Sequence, residues 1–286
     1  MIGDETCLRC GSPASTALRH CITCGVDLGA PNIRAANSET ERKGLEERAR
    51  SAEVSARERS CEEEYRRLLG VLQAKSGVVV SLPASAARDL LIDTKKVFLN
   101  YETLVGKELR LPALQPDDHR RAGVVGILFG SYGAEIRYGV LALGDRGPAT
   151  YGEVSCRLRD VAVTDRVSFL ESNSYAFVER HHLTPASPLP LGYRAVWDNR
   201  HLLGAVKLAP SLTPGQTEDK WPDLLVQSNA TDRGADEFIE AHIYGTFTAH
   251  AIQEMVAVER GRLSRHEAQD FAIAEELFAK LRASRG

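Results

Sequence analysis

Four cysteines near the start of the chain fall in two matched segments, Cys7-Leu8-Arg9-Cys10-Gly11 and Cys21-Ile22-Thr23-Cys24-Gly25. Two residues between the thiols let both point at one ion, and the backbone N–H groups of such a knuckle bond to the sulfurs. The glycine after each pair permits the left-handed turn that closes it. Four thiolates complete a tetrahedral shell with no position for water. The pattern therefore predicts a structural zinc ion held by Cys7, Cys10, Cys21 and Cys24, not a catalytic one. His20 adjoins Cys21 and reads as a bystander. The other two of the six cysteines, Cys61 and Cys156, stand alone. That spacing argues for metal binding in a reducing compartment rather than a disulfide framework.

The remainder of the chain carries no GxxxxGK[ST], HExxH or GxSxG segment, and no GxGxxG after a strand. His181 and His182 are adjacent, so on an extended chain they point opposite ways, and no third ligand lies near them in sequence. Four other segments stand out by their order. They are Ile136-Arg137-Tyr138-Gly139-Val140-Leu141, Tyr151-Gly152-Glu153-Val154-Ser155-Cys156-Arg157-Leu158, Asp165-Arg166-Val167-Ser168-Phe169-Leu170-Glu171-Ser172-Asn173-Ser174 and Phe238-Ile239-Glu240-Ala241-His242-Ile243-Tyr244-Gly245.

In this order the segments resemble a group of bacterial domains related to ADP-ribosyltransferase toxins. The resemblance covers about half the chain, from Gly123 to Val258. Asn173 stands where an aspartate is expected and His242 where a glutamine is expected. The resemblance implies NAD-dependent ADP-ribosyl transfer to an unidentified acceptor, in the manner of a bacterial toxin or effector. Such a transfer passes through a ribose cation as nicotinamide leaves. It implies Glu240 as the carboxylate that stabilises this cation, Ser168 as a ribose-orienting hydroxyl and His242 as a further catalytic contact. It also implies Arg137 as the guanidinium that grips NAD phosphate or ribose, with Tyr138 and Tyr244 as stacking groups. Each residue alone also has an ordinary reading. Arg137 pairs with Glu135 at the surface, Glu240 lies on the exposed face of an edge strand, and Ser168 is a strand hydroxyl. The alternative is a non-enzymatic zinc-ribbon interaction or scaffold protein with a degenerate C-terminal domain.

The elements that would position these groups divide into three. Residues 1–30 form the zinc ribbon. Residues 37–75 read as a charged helix or short coiled coil. Ser38-Glu39-Thr40-Glu41 opens it as a capping box. Leu45, Ala49, Ala52 and Ala56 make a narrow seam, and Cys61, Tyr65, Leu68 and Leu72 continue it on a shifted stripe. The seam suggests a solvated spacer. Residues 77–286 form an α+β body. Its expected strands are Val78–Val80, Val124–Phe129, Arg137–Leu143, Val154–Leu158, Arg166–Leu170, Phe238–Tyr244 and Met255–Val258. Helix is expected from Ala84 to Leu104 and in the second half of Arg194–Lys207, and loop from Leu111 to Asp118. Ala209–Asp236 reads as loop with a short helix near Leu224. Ser264 and Glu267 box the last helix, whose stripe is Phe271, Ala274, Leu277, Phe278 and Leu281. Short strands without regular βαβ spacing predict α+β rather than a doubly wound fold.

Bulk composition fits this division. The chain has 286 residues, 43% hydrophobic and 26% charged, with a formal net charge of -3. That charge, with only Arg9 and Arg19 basic in the ribbon, disfavours nucleic acid without excluding it. No apolar run is long enough to span a bilayer and no signal peptide opens the chain, so a cytoplasmic protein is expected. A protein partner docking through the ribbon or the charged helix is the expected interaction.

Overall fold

The computed structural model of the chain describes residues 5–99, 115–228, 236–259, 261 and 263–285. The ribbon holds two short strands, β1 (Glu5–Thr6) and β2 (Pro13–Ala14). There follow α1 (Pro31–Ala36), α2 (Glu39–Glu58), α3 (Glu62–Lys75), β3 (Gly77–Leu82), α4 (Ala84–Ile92), α5 (Gln115–Phe129) and β4 (Ile136–Ala142). Next come β5 (Val154–Leu158), α6 (Asp160–Val163), β6 (Val167–Leu170), α7 (Ser174–Arg180), β7 (Arg194–Val196), α8 (Arg200–Leu208) and α9 (Trp221–Leu225). The chain closes with β8 (Val226–Gln227), β9 (Glu237–Phe238), β10 (Glu240–Tyr244), β11 (Ile252–Ala257) and α10 (Arg265–Ala283).

Seven strands form one antiparallel sheet in the order β11-β5-β3-β4-β10-β6-β7. Alternate residues of a strand face opposite sides. One face carries Val78, Val80, Leu82, Leu141, Cys156, Phe169, Ala241 and Ile243, all in the main core. Burial pushes the Cys156 thiol up to about 12, so it acts there as a small hydrophobe. The opposite face carries Val79, Val140 and Ala142, which meet Phe238 in a second, smaller cluster.

The expected spacer is part of the core. α2 and α3 are separate helices, broken at Ser60, whose φ is 59°. The Cys61 N–H bonds the Ala56 carbonyl at 2.8 Å, and the Tyr65 hydroxyl donates to the Ala49 carbonyl at 3.1 Å, so α3 folds back along α2. Leu45, Ala56, Cys61, Tyr65, Leu68 and Leu72 are all buried against the sheet and α8. The shift in the seam marks the break between two helices, not a stutter in a coiled coil. Each buried leucine of this seam contributes about 1.5–3 kcal/mol of hydrophobic stabilisation. Ser38 does accept from the Glu41 N–H. The Glu41 carboxylate, fully buried, instead takes the Arg194 N–H at 2.9 Å and its guanidinium at 3.2 Å.

Other expectations hold or shift for local reasons. Val124–Phe129 is helical, within α5, because a short apolar run fits a buried strand or a helix equally well. Helix extends through Asp118 where loop is expected. α4 ends at Ile92; residues 100–104 and 111–114 lie outside the described residues, as do 229–235 of the long loop. α10 has both halves of its capping box, with Ser264 accepting from the Glu267 N–H and Glu267 accepting from the Ser264 N–H. Its stripe holds, with Phe271, Ala274, Phe278 and Leu281 buried, and Arg88 pairs α4 to Asp270 at 2.6 Å. No described helix is long and apolar enough to cross a membrane.

Two tests follow from this packing. A fragment beginning at residue 77 loses the layer that α2 and α3 pack on the core and gives no cooperative denaturant transition, whereas a fragment beginning at residue 29 does. A sharp transition from the shorter fragment contradicts the packing. At Gly44 a Cβ would sit 2.9 Å from the Gly192 nitrogen, backbone against backbone. Gly44→Ala is expected to cost about 1–3 kcal/mol, by the midpoint of urea unfolding, although alanine favours helices.

Candidate functional site

The two cysteine knuckles repeat one backbone pattern. Cys7 N–H donates to the Ser12 carbonyl at 2.9 Å and Gly11 N–H to the Cys7 carbonyl at 2.8 Å. Cys21 N–H donates to Val26 at 2.9 Å and Gly25 N–H to Cys21 at 2.8 Å. Gly11 and Gly25 have φ of 70° and 69°, the left-handed turn that closes each knuckle. The four sulfurs lie within 4.8 Å of one another. Cys7 Sγ is 3.7 Å from Cys24 Sγ, and Cys10 Sγ 3.7 Å from Cys21 Sγ. A disulfide needs about 2.05 Å. Tetrahedral thiolates about 2.3 Å from one zinc ion stand about 3.8 Å apart. The donor set thus fits a four-coordinate metal closed to water.

Local bonds favour the thiolate form at two of the four positions: the Ser12 hydroxyl and amide pull the exposed Cys10 thiol down to about 6, and the Cys24 and Thr23 amides lower Cys21, whereas burial and the neighbouring thiols push Cys24 up to about 11. His20 takes part only in a backbone bridge with Asp27 and is outside the ligand group.

The second candidate site lies on the sheet. β10 pairs Glu240 with Val140, His242 with Tyr138, Ile243 with Arg137 and Tyr244 with Ile136. β6 pairs Ser168 with His242. Paired residues share a face, so Glu240, Ser168, His242, Tyr138 and Tyr244 stand together. Arg137 lies on the opposite face, with the core residue Ile243. Its guanidinium donates to the carbonyls of Ala134 at 2.8 Å, Ile136 at 3.2 Å and Phe98 at 3.3 Å. The expected NAD-gripping role of Arg137 is therefore corrected: it ties chain segments together behind the sheet.

On the shared face the polar groups are sealed. Ser168, Glu240 and His242 are 4%, 7% and 4% exposed. Glu240 Oε2 accepts from the Ser174 N–H at 3.0 Å, from the Ser174 hydroxyl, and from His242 Nε2 at 3.0 Å. The carboxylate thus anchors the start of α7 to the sheet. His242 Nε2 also lies 3.4 Å from Ser174 Oγ. A nucleophile relay needs serine and carboxylate on different ring nitrogens, which this arrangement does not give. The rings of Phe129 and Tyr138 pack edge-on to the imidazole, with centroids at 4.8 and 5.7 Å. Tyr244 is half-buried, which raises its pKa, and stands close to the charges of Glu135, Arg19 and Asp27.

Two groups at this face, Asn32 and Arg194, carry no motif in the sequence, and Ser174 closes the third segment but is given no role by it. Arg194 shares the face because it pairs with Leu170, which pairs with Glu240. A cavity of about 20 Å³ remains among Asn32, Phe129, Ser168, Arg194 and His242. That is room for one water and not for a dinucleotide.

Comparison with protein-family models and with curated proteins finds no match for this chain.

The metal centre predicts about one zinc per chain in protein purified without chelators. Cys21→Ser should release it without abolishing the body's cooperative transition. Because the ligands must be thiolates, metal retention should weaken as pH falls and protons compete with the ion for the four sulfurs. At the sheet, Glu240→Ala strands the buried Ser174 N–H and the His242 ring. It should lower stability by about 2–4 kcal/mol in urea unfolding. A fully stable variant would show the carboxylate is not an anchor.

Proposed function

We propose that the protein is a zinc-dependent interaction protein, whose ribbon is a docking head fixed to an α+β body. The observation that carries this is the outward face of the ribbon. Leu8 and Ile22 occupy the same position in the two knuckles and are 102% and 75% exposed. Exposed large apolar side chains held rigidly by a metal centre suit a protein surface. The charges do not suit nucleic acid. Arg19 is spent on Asp27 at 2.8 Å, which leaves Arg9 as the ribbon's other arginine.

The second reading is the ADP-ribosyltransferase-like one, with NAD as cofactor. What supports it is the shared face of Glu240, Ser168, His242, Tyr138 and Tyr244. It requires a state in which that face opens and in which a group other than Arg137 grips phosphate.

The two readings separate in one comparison. Wild-type protein and a Leu8→Asp, Ile22→Asp double variant, shown to hold equal zinc, are used as bait in lysate of the source cells. The docking reading expects at least about a tenfold loss of specifically retained protein, as for removal of two central anchors. Equal recovery contradicts it. NAD hydrolysis by wild type that is lost in Glu240→Gln, a variant verified to be folded, would instead favour the transferase reading.

A further inference from the structure

α1 is held in place mainly by its neighbours. Six residues are too few for a helix to persist alone, and its buried residues are only Pro31, Asn32 and Ala36. Its C-terminal end is tied where the Asn37 N–H bonds Ile33 and α2 begins two residues later. On the sheet, the Asn32 side-chain NH2 donates to the His242 carbonyl at 2.8 Å, Ser168 Oγ at 3.0 Å and the Arg166 carbonyl at 3.2 Å. Two of these acceptors are carbonyls, which fixes the NH2 as the group facing them. Toward the ribbon, the Arg34 guanidinium donates to the carbonyls of Leu18 at 2.6 Å, Ser15 at 3.1 Å and Thr16 at 3.3 Å.

Those three carbonyls lie on the turn between the two knuckles. Their position is set by the four sulfurs, because a ribbon with Leu8, Leu18 and Ile22 exposed has little apolar core to hold it. Asn32 is 3% exposed, and the Arg34 clamp on the ribbon adds three contacts to those Asn32 makes on the sheet. The cavity of about 20 Å³ lies directly against Asn32, Ser168 and His242.

We infer that α1 is a strap held shut by the metal centre. With the four cysteines ligated, the ribbon presents its carbonyls to Arg34 and Asn32 stays seated on β6 and β10. With the metal gone, the clamp is lost, the strap lifts on its tether to α2, and the Ser168 hydroxyl and the carbonyls of His242 and Arg166 are bared. The metal would thereby govern access to the one polar face of the sheet. This rests on metal occupancy of the ribbon, not on either reading of what the bared face binds.

The test uses the full-length chain, with zinc measured on every sample. Amide exchange is followed at Arg34 and Asn37, whose N–H groups bond Ala30 at 3.1 Å and Ile33 at 2.8 Å. Removing zinc with a chelator should speed exchange at both amides on the order of tenfold, while α10 stays protected. Arg34→Ala should do the same with zinc retained, since it cuts the clamp alone. Unchanged exchange at Arg34 and Asn37 after confirmed zinc loss overturns the inference. So does an Arg34→Ala variant indistinguishable from wild type. If chelation also exposes α10, the Arg34→Ala result decides. Protein that never held zinc overturns the zinc reading and the strap together, whereas retained zinc with a strap that stays shut overturns the strap alone.

Discussion

A ribbon as short as residues 5–28 buries too little apolar surface to hold its shape, and Leu8, Leu18 and Ile22 point outward. What gives it one shape is the convergence of four sulfurs, 3.7 Å apart across the knuckles. Ligand bonds from these sulfurs to a single ion would take the place of a core. The rest of the N-terminal architecture hangs on that constraint. It fixes the turn whose carbonyls Arg34 grips, and Arg34 and Asn32 lie on the helix that closes over β6 and β10. A metal centre remote from any reacting group can thus matter to the whole front of the molecule.

Behind that front, strand alternation decides which residue types can cooperate. Glu240, His242, Tyr138 and Ser168 fall on one face by register, and Arg137 falls on the other by a single residue. No side-chain rotation carries a guanidinium through a sheet whose far face is a packed core. Arginines that do share the polar face are already committed, Arg194 to the buried Glu41 and Arg157 to the carbonyls of Gly144 and Lys75. The carboxylate of Glu240 is likewise committed, to the Ser174 amide and hydroxyl. Groups suited to chemistry are here used to fasten loops to a sheet, which is what buried charges require wherever they lack a substrate.

Much of this was legible in the chain and some was not, for identifiable reasons. The knuckles, the capping box of α10 and most strands are local signals, each written within a few residues. The role of α2 and α3 was hidden because their many exposed charges mask a narrow seam, and a seam does not say what lies against it. The shift at Cys61 was visible, yet only the Ser60 turn shows it to be a helix break. The face of Arg137 depends on strand register, which is set by pairings more than a hundred residues apart. Asn32 carries no motif, since its importance comes entirely from where the ribbon places it.

The arrangement of Cys7, Cys10, Cys21 and Cys24 fits one zinc ion surrounded by four thiolates and nothing else. Zinc-edge X-ray absorption on chelator-free protein tests this at the ligand bonds themselves. The expected shell is four sulfurs at about 2.3 Å with no light scatterer. A shell containing nitrogen or oxygen, or cysteines found oxidised in pairs with no zinc edge, would contradict it.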